Sequence, residues 1–467
     1  MEKFFGLKEH GTTVKTEVMA GLATFMTMAY ILAVNPQTIT GQFGGPMWNA
    51  VFMATALSAF VGTLLMALYA KMPFAQAPGM GLNAFFATVV AGLVATQGIS
   101  EETAYAAGFA LVMFSGVLFT LLTLFKVREK IVKAIPKAVR LGIPAGIGLM
   151  LAFVGLKTAV YTDTGAVTIF DFFTNGPSAT IASMTSADYS ALILNVIVAL
   201  IGLFVIAILH QKKVKGSVLF GIVISTVIYW IGSFILGNNP FASLATASFI
   251  PPFGDMFNLT FCKFDISAIL NMGVVSAVMT VVSFAMVDMF DTIGTLLGTA
   301  KASGMLDEND ELPGMNKAML CDSVATMAGA ALGTSTVTTF VESAAGVEEG
   351  GRTGLTSLVT SLLFLVSIFL APVFGLIPGA ATAPALVFVG ILMLRSIKDV
   401  DFTDMTALVP VVLMLIIIPV TSKIGDGIGF GLISYTILKI FSGKVKDVSI
   451  LTAVLSVLFL VKFFLPF

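Results

Sequence analysis

Apolar runs long enough to cross a bilayer recur along almost the entire chain, and that recurrence limits the fold more than any motif does. One series lies near 18–36, 48–70, 79–96, 103–125, 138–157, 190–209 and 216–236. A second lies near 267–299, 315–333, 338–347, 353–371, 382–397, 405–421 and 425–441, and a last apolar tail, 448–467, contains Lys462. A helix needs about 20 apolar residues to span the hydrocarbon core. Of 467 residues, 57% are hydrophobic and 11% charged, against roughly 25% charged in soluble domains. A soluble, disordered or disulfide-scaffold chain is excluded. The cysteines Cys262 and Cys321 and the histidines His10 and His210 are too few and too scattered for a metal site, so no metal or cofactor is expected. The 25 basic and 26 acidic residues leave no charge excess for a nucleic acid. The chain reads as an all-α polytopic membrane protein whose solvent is the lipid bilayer.

Loop charge orients the spans. The polar stretch 1–16 shows no signal-peptide cleavage pattern ahead of the first apolar run. With the N-terminus cytoplasmic and fourteen alternating spans, 21 of the 25 basic residues fall on the cytoplasmic side. They include Lys3, Lys8 and Lys15, the cluster Lys126, Arg128, Lys130, Lys133, Lys137 and Arg140, and Lys212, Lys213 and Lys215. Only Lys157, Lys263 and Lys423 fall opposite, the bias expected of cytoplasmic loops. An even count leaves both termini cytoplasmic; the tail is read as either a surface helix or a further crossing. Fourteen spans divide into seven plus seven: a first repeat over 1–236, an extracellular connection over 237–266 and a second repeat over 267–447. An odd number per half inverts one half relative to the other, a common carrier architecture with its site at broken helices near the midplane.

Two segments read as broken. In the third, Pro73 and Pro78 bracket Phe74–Ala77, and Gly79-Met80-Gly81-Leu82-Asn83-Ala84-Phe85-Phe86 follows. Irregular backbone at membrane depth survives only when buried in protein or lining a cavity, so a short strand feeding a half-helix is expected. In the matching tenth segment, Gly333-Thr334-Ser335-Thr336-Val337-Thr338-Thr339 reads as extended. Phe340-Val341-Glu342-Ser343-Ala344-Ala345-Gly346 then reads as a short helix. Both half-helices would aim free N–H groups at the midplane. The bland alternative is re-entrant packing or glycine-rich helix contact.

Four acids fall inside the spans: Asp288 and Asp291 in the eighth, Asp322 in the ninth and Glu342 in the tenth. An ionised group there costs roughly 2.5–3.5 kcal/mol or more and is by default a functional candidate. No Lys or Arg in these spans neutralises them. Asp288 and Asp291 are i, i+3 neighbours on one helical face; ionised together they would repel, so one is expected to hold a proton at times. Glu342 could cap the half-helix it opens or contact a ligand. Asp322, between Cys321 and Ser323, suits a structural hydrogen-bonding role as well as a functional one. Glu348, Glu349 and Arg352 read as solvated charge at the cytoplasmic edge.

At these residues the sequence resembles the AzgA-like purine permeases, a branch of the nucleobase–cation symporter families that share the uracil-permease fold. The likeness begins at His10-Gly11-Thr12-Thr13 with Glu17 and Gly21-Leu22-Ala23-Thr24-Phe25. It continues through Ala77-Pro78-Gly79-Met80-Gly81-Leu82-Asn83-Ala84-Phe85-Phe86. It is strongest at Phe290-Asp291-Thr292-Ile293-Gly294-Thr295, Val341-Glu342-Ser343-Ala344-Ala345-Gly346 and Gly350-Gly351-Arg352-Thr353-Gly354-Leu355-Thr356. The resemblance implies a core domain of segments 1–4 and 8–11 and a gate domain of segments 5–7 and 12–14. Substrate would lie between the strands and half-helices of segments 3 and 10. Asp291 and Glu342 would hydrogen-bond the base, with Gly81, Asn83 and Phe85 at the pocket and Thr24, Phe25 and Ser343 as further candidate contacts. The implied activity is import of adenine, guanine or hypoxanthine across the cell membrane, with a homodimer as a candidate assembly.

The residue chemistry suits such a ligand. A purine is flat, aromatic and neutral near pH 7, with ring N–H donors beside ring-nitrogen or carbonyl acceptors. Carboxylates answer the donors, half-helix N–H groups answer the acceptors, and Asn83 can do either. Phe25, Phe85 or Phe340 could cover the ring. Asp291, or the pair Asp288/Asp291, together with Glu342, are the proton-coupling candidates, with sodium as the alternative ion. A membrane enzyme is disfavoured: there is no G-x-S-x-G, H-E-x-x-H or Walker sequence. A channel lacks charge rings or a filter sequence. The nearest rival is a carrier of the same fold moving xanthine, uracil or an anion; two acids disfavour the anion.

Overall fold

The computed structural model describes residues 2–41, 44–125, 135–156, 159–162, 165–168, 186–214, 216–242, 248–302, 305–307, 312–421 and 424–464. Of the basic residues used above, Lys126, Arg128, Lys130, Lys133, Lys157, Lys215 and Lys423 lie outside that set. All fourteen expected segments are present. Among the described residues, eleven helices are long and apolar enough to cross a membrane. The other three depart for separate reasons. Segment 9, Met315–Leu332, carries Asn316, Lys317, Asp322, Ser323 and Thr326 along an 18-residue helix. Segment 10 is a strand and a six-residue helix, Ser343–Glu348. Segment 13, Met405–Thr421, has 17 residues and two internal prolines.

Segment 1 is a jointed helix, Val14–Met28 followed by Ile31–Thr40. At the joint the bonding tightens to i→i+3: Leu32 N–H donates to the Ala29 carbonyl and Ala33 N–H to the Tyr30 carbonyl. Segment 2 starts at Pro46 (Pro46–Leu65), where a missing N–H costs nothing. Segment 8 begins as a short helix, Ile266–Asn271, and resumes as Val274–Ala302.

Four short strands occur among the described residues: β1 (Gln76–Pro78), β2 (Ala159–Thr162), β3 (Gly165–Thr168) and β4 (Val337–Thr339). The β2–β3 hairpin follows segment 5 and was not foreshadowed by the sequence. Strands β1 and β4 pair antiparallel, Gln76 opposite Thr339, Ala77 opposite Thr338 and Pro78 opposite Val337. The pairing is extended by Phe340 N–H to the Ala75 carbonyl and Gly79 N–H to the Thr336 carbonyl, both 3.0 Å. Because the strands run in opposite directions, the helices that follow them, Met80–Gln97 and Ser343–Glu348, leave the pair in opposite directions.

Each strand is clipped by a threonine from the preceding segment. Thr63 of segment 2 donates to the Gln76 carbonyl (3.0 Å) and accepts from the Gln76 N–H (2.9 Å). Thr326 of segment 9 does the same for Val337, at 3.0 and 3.2 Å. The two halves of the chain thus repeat one device, as the seven-plus-seven reading expects.

Helix packing sorts the segments. Segment 9 packs on segments 2 and 4, segment 11 on segments 1 and 2, segment 10 on segment 1, and segment 8 on segment 4. Segment 5 packs on segments 12 (Gly379–Met393), 13 and 14 (Ile424–Phe441), and segments 6 and 7 pack on each other and on segment 12. Gln37 of segment 1 joins the two sets, accepting from the Thr382 hydroxyl (2.6 Å) and donating to the Ile377 carbonyl (2.9 Å).

The tail forms a helix, Ile450–Phe464, that packs back along segment 14. Thr436 meets Ser456 at 2.8 Å, and Phe463 reaches Phe430 at 4.8 Å between ring centroids. The chain turns near Lys444 and Lys446 and carries its end back toward the opposite end of segment 14.

Glu17, fully buried in segment 1, ties the first helix to the eleventh. Its carboxylate accepts from the backbone N–H groups of Arg352 (2.9 Å), Thr353 (3.3 Å) and Thr356 (3.1 Å) and from the Thr356 hydroxyl (2.6 Å). These are the free donors of the helix Gly354–Val366, where an anion is favoured. Glu17→Ala leaves several buried donors unpaired at about 1–3 kcal/mol each. A lowered melting temperature in detergent, with Glu17→Gln falling between the two, is the expected outcome.

Candidate functional site

The antiparallel strand pair brings segments 3 and 10 together, and segments 1, 8 and 9 close around it. Among the described residues no basic side chain pairs with Asp288, Asp291, Asp322 or Glu342. The four acids nevertheless meet different surroundings.

Asp322 is saturated. It accepts from the Gln76 amide (3.1 Å) and the Thr339 hydroxyl (3.2 Å) on one oxygen, and from the Thr292 hydroxyl (2.8 Å) on the other. Thr292 also meets the Thr338 hydroxyl at 2.7 Å. One carboxyl thereby holds segments 3, 8 and 10 to segment 9, the structural alternative weighed for it above. Asp288, 1% exposed, accepts from Thr326 at 2.9 Å with one oxygen, while the other has no hydrogen-bond partner among the described residues.

Asp291 lies one turn further along segment 8, on the same helical face as Asp288. It is half-buried and close enough to Glu342 for their charges to interact. Glu342 is also half-buried and stands at the N-cap of Ser343–Glu348 without capping it. Its Oε1 instead accepts from the Tyr30 hydroxyl at 2.7 Å, and its backbone carbonyl accepts from Thr27 at 3.3 Å. Segment 8 packs on β4 and on Ser343–Glu348, which brings two acids more than fifty positions apart in sequence into one neighbourhood beside the strands.

The remaining candidates divide between lining and framework. Phe85 packs on Phe284, ring centroids 4.5 Å apart, and Phe284 lies one turn before Asp288. Asn83 donates to the Pro78 carbonyl (3.3 Å) and accepts from the Ser335 hydroxyl, so its amide braces the ends of both strands. Ser343 accepts from the Ala75 N–H at 3.0 Å and anchors the start of the strand in segment 3. Phe25 turns the other way, edge-on to Phe364 at 5.2 Å. Thr24 is buried where segment 1 crosses segment 10, and a Cβ at Gly346 would collide with its hydroxyl. Gly81 lies directly against Ile147 of segment 5, and a Cβ there would strike the isoleucine methyl. Gly81 and Gly346 are therefore close-approach positions.

Sequence reasoning passed over Tyr30, Gln76, Thr292 and Thr339. Each is a polar residue within an apolar or strand-like run. Gln76 stood in plain view between Pro73 and Pro78, and Tyr30 was a signal in segment 1 that a buried phenol needed a partner.

The family model described as "Permease family" matches residues 15–429. The chain is 37% identical over 462 residues to "Adenine permease AdeP" of Escherichia coli, covering 99% of this chain and 95% of that one. It is 37% identical over 466 residues to "Guanine/hypoxanthine permease PbuO" of Bacillus subtilis, covering 99% and 100%. Among solved structures, the transmembrane domain of the cyanobacterial bicarbonate transporter BicA superposes with a TM-score of 0.61 at 16% identity, covering 88% of this chain and 96% of that one. That likeness is one of fold. With its matched span, its paired half-helices and full-length relatives, the chain belongs to the permease family, as a multi-pass membrane protein.

Proposed function

We propose that the protein carries a purine base across the cell membrane, with its N-terminus cytoplasmic, by binding the base between Asp291 and Glu342 and coupling its entry to a proton. The observation that carries the reading is the convergence of those two acids, without a basic partner among the described residues, beside the paired strands. Relatives named for adenine and for guanine and hypoxanthine support the substrate class.

Three neutral properties of a purine suit the site: donors for the carboxylates, acceptors for the N–H groups at the start of Met80–Gln97, and a face for Phe85 and Phe284; at Ser343–Glu348 the first N–H groups are already taken by the Phe340, Val341 and Glu342 carbonyls. Asp291 has no hydrogen-bond partner among the described residues, so it is the acid free to take a proton from outside. With that proton bound, one of two facing charges is gone, and the base enters without a doubly charged buried pair. Release of base and proton inside resets the site. Segments 1–4 and 8–11 act as the moving core and segments 5–7 and 12–14 as the gate, with Gly81 against Ile147 and Gln37 against Thr382 as contacts that break and reform. Transport of a solute, and no bond-breaking step, is the activity.

Cells lacking their own purine carriers should accumulate labelled adenine, guanine or hypoxanthine on expressing the protein, and a protonophore should abolish that accumulation. Accumulation that survives the protonophore but needs sodium would replace the proton by sodium. Asp291→Asn should retain base exchange across a vesicle membrane while losing gradient-driven accumulation. Glu342→Gln exchanges a charged acceptor for a neutral one and should weaken binding about 10- to 100-fold, from the roughly 1.5–3 kcal/mol of a charged hydrogen bond. Wild-type affinity in that variant would remove Glu342 from the pocket.

A further inference from the structure

We infer that Tyr30 of segment 1 is the positioning residue for the Glu342 acceptor: it fixes one carboxylate oxygen so that the other faces the base. The inference rests on the reading of Glu342 as a substrate contact.

Glu342 stands where the chain turns from β4 into a six-residue helix, and its side chain makes no cap bond there. A free glutamate at such a place has several rotamers, and ordering a rotamer-rich side chain on binding costs about 0.5–1.5 kcal/mol. Segment 1 removes that freedom through Tyr30, while Thr27 lies against the Glu342 backbone. The Tyr30 hydroxyl donates to Oε1 at 2.7 Å, a well-formed O–H···O bond. Thr27, one turn earlier, donates to the Glu342 carbonyl at 3.3 Å and to the Thr24 carbonyl at 2.7 Å. Among the described residues no side chain donates to Oε2, which leaves it to a ligand N–H.

Tyr30 can do this because of where it sits. It is 1% exposed and lies at the joint between Val14–Met28 and Ile31–Thr40. The tightened turn at Ala29–Tyr30 places its ring against segment 10, in line with Thr27. A buried phenol must find an acceptor, and Glu342 is the acceptor it has. The two needs are met by one bond, and segment 1 becomes part of the binding site without a side chain that need touch the base.

The test is a double-mutant cycle in purified protein, with labelled hypoxanthine, adenine and guanine as the probes. Tyr30→Phe keeps the ring and deletes one oxygen, and should weaken binding of the transported base about tenfold, the loss of one bond to a charged group. In a Glu342→Ala background the same change should cost less than twofold, because the hydroxyl then has nothing to hold. If Glu342→Ala does not fold, Glu342→Gln serves: the neutral bond is about half as strong, so the Tyr30→Phe effect should shrink to about threefold. An equal loss in both backgrounds would mean that Tyr30 acts by packing alone and would overturn the inference, as would unchanged affinity in Tyr30→Phe. Wild-type affinity in Glu342→Gln or Glu342→Ala would instead overturn the substrate reading, and wild-type protein that binds none of the three bases would do the same.

Discussion

Unpaired backbone in mid-bilayer is the constraint from which the rest of this structure follows. Two stretches of chain abandon the helix at membrane depth, and each abandoned N–H and C=O would cost several kcal/mol in hydrocarbon. A three-residue strand cannot pay that back alone. Strands β1 and β4 satisfy part of it by pairing with each other. Thr63 and Thr326 supply a donor and an acceptor to one further residue of each strand, and Ser343 accepts from Ala75. The surrounding segments are held in place as a consequence: segments 2 and 9 must lie behind the strands, because their hydroxyls complete them.

The same requirement explains why this region is polar while the surface of the chain is not. Gln76, Thr292, Thr338, Thr339 and Asp322 form one buried hydrogen-bonded group. Such a group stabilises only when its members are satisfied. Asp322 meets the condition with three donors from three other segments. Neutral donors reach both of its oxygens, so the carboxyl is held without a lysine beside it. The group also sets how far the two half-helices can shift relative to each other, so a site built on them is held by the protein interior and does not depend on loops.

Much of this was legible in the sequence, for identifiable reasons. Span number and order followed from apolar length and loop charge. The breaks in segments 3 and 10 followed from Pro73, Pro78 and the glycines in one case and from the threonine-rich run Thr334–Thr339 in the other. The pair Asp291 and Glu342 stood out because acids are so rare in these spans. What was hidden depended on direction. Asp288 and Asp291 are one helical turn apart, yet Asp288 is buried against Thr326 while Asp291 is half-buried near Glu342. Phe25 and Thr24 are adjacent and serve different helix contacts. Composition cannot say which way a threonine or tyrosine points inside a bundle, so Tyr30 and the threonine clips needed coordinates. The tail was ambiguous because 448–467 has the hydropathy of a span, and only its packing on segment 14 fixed its course.

Donor supply offers a physical way to rank the buried acids by role. Asp322 has its acceptor capacity taken up by side chains, so a ligand could reach it only by displacing bonds that hold four segments together. Glu342 has one oxygen engaged by Tyr30 and one open, the state of a group that is oriented but not consumed. Asp291 is engaged by no donor among the described residues and faces another acid. Facing charges in a medium of low polarity are relieved by a proton, a cation or a ligand that brings donors. A neutral base with ring N–H groups, arriving with a proton, supplies both kinds of relief at once. Under the function proposed above, the coupling of substrate to ion would need no separate ion site: each would make room for the other at a single pair of carboxyls.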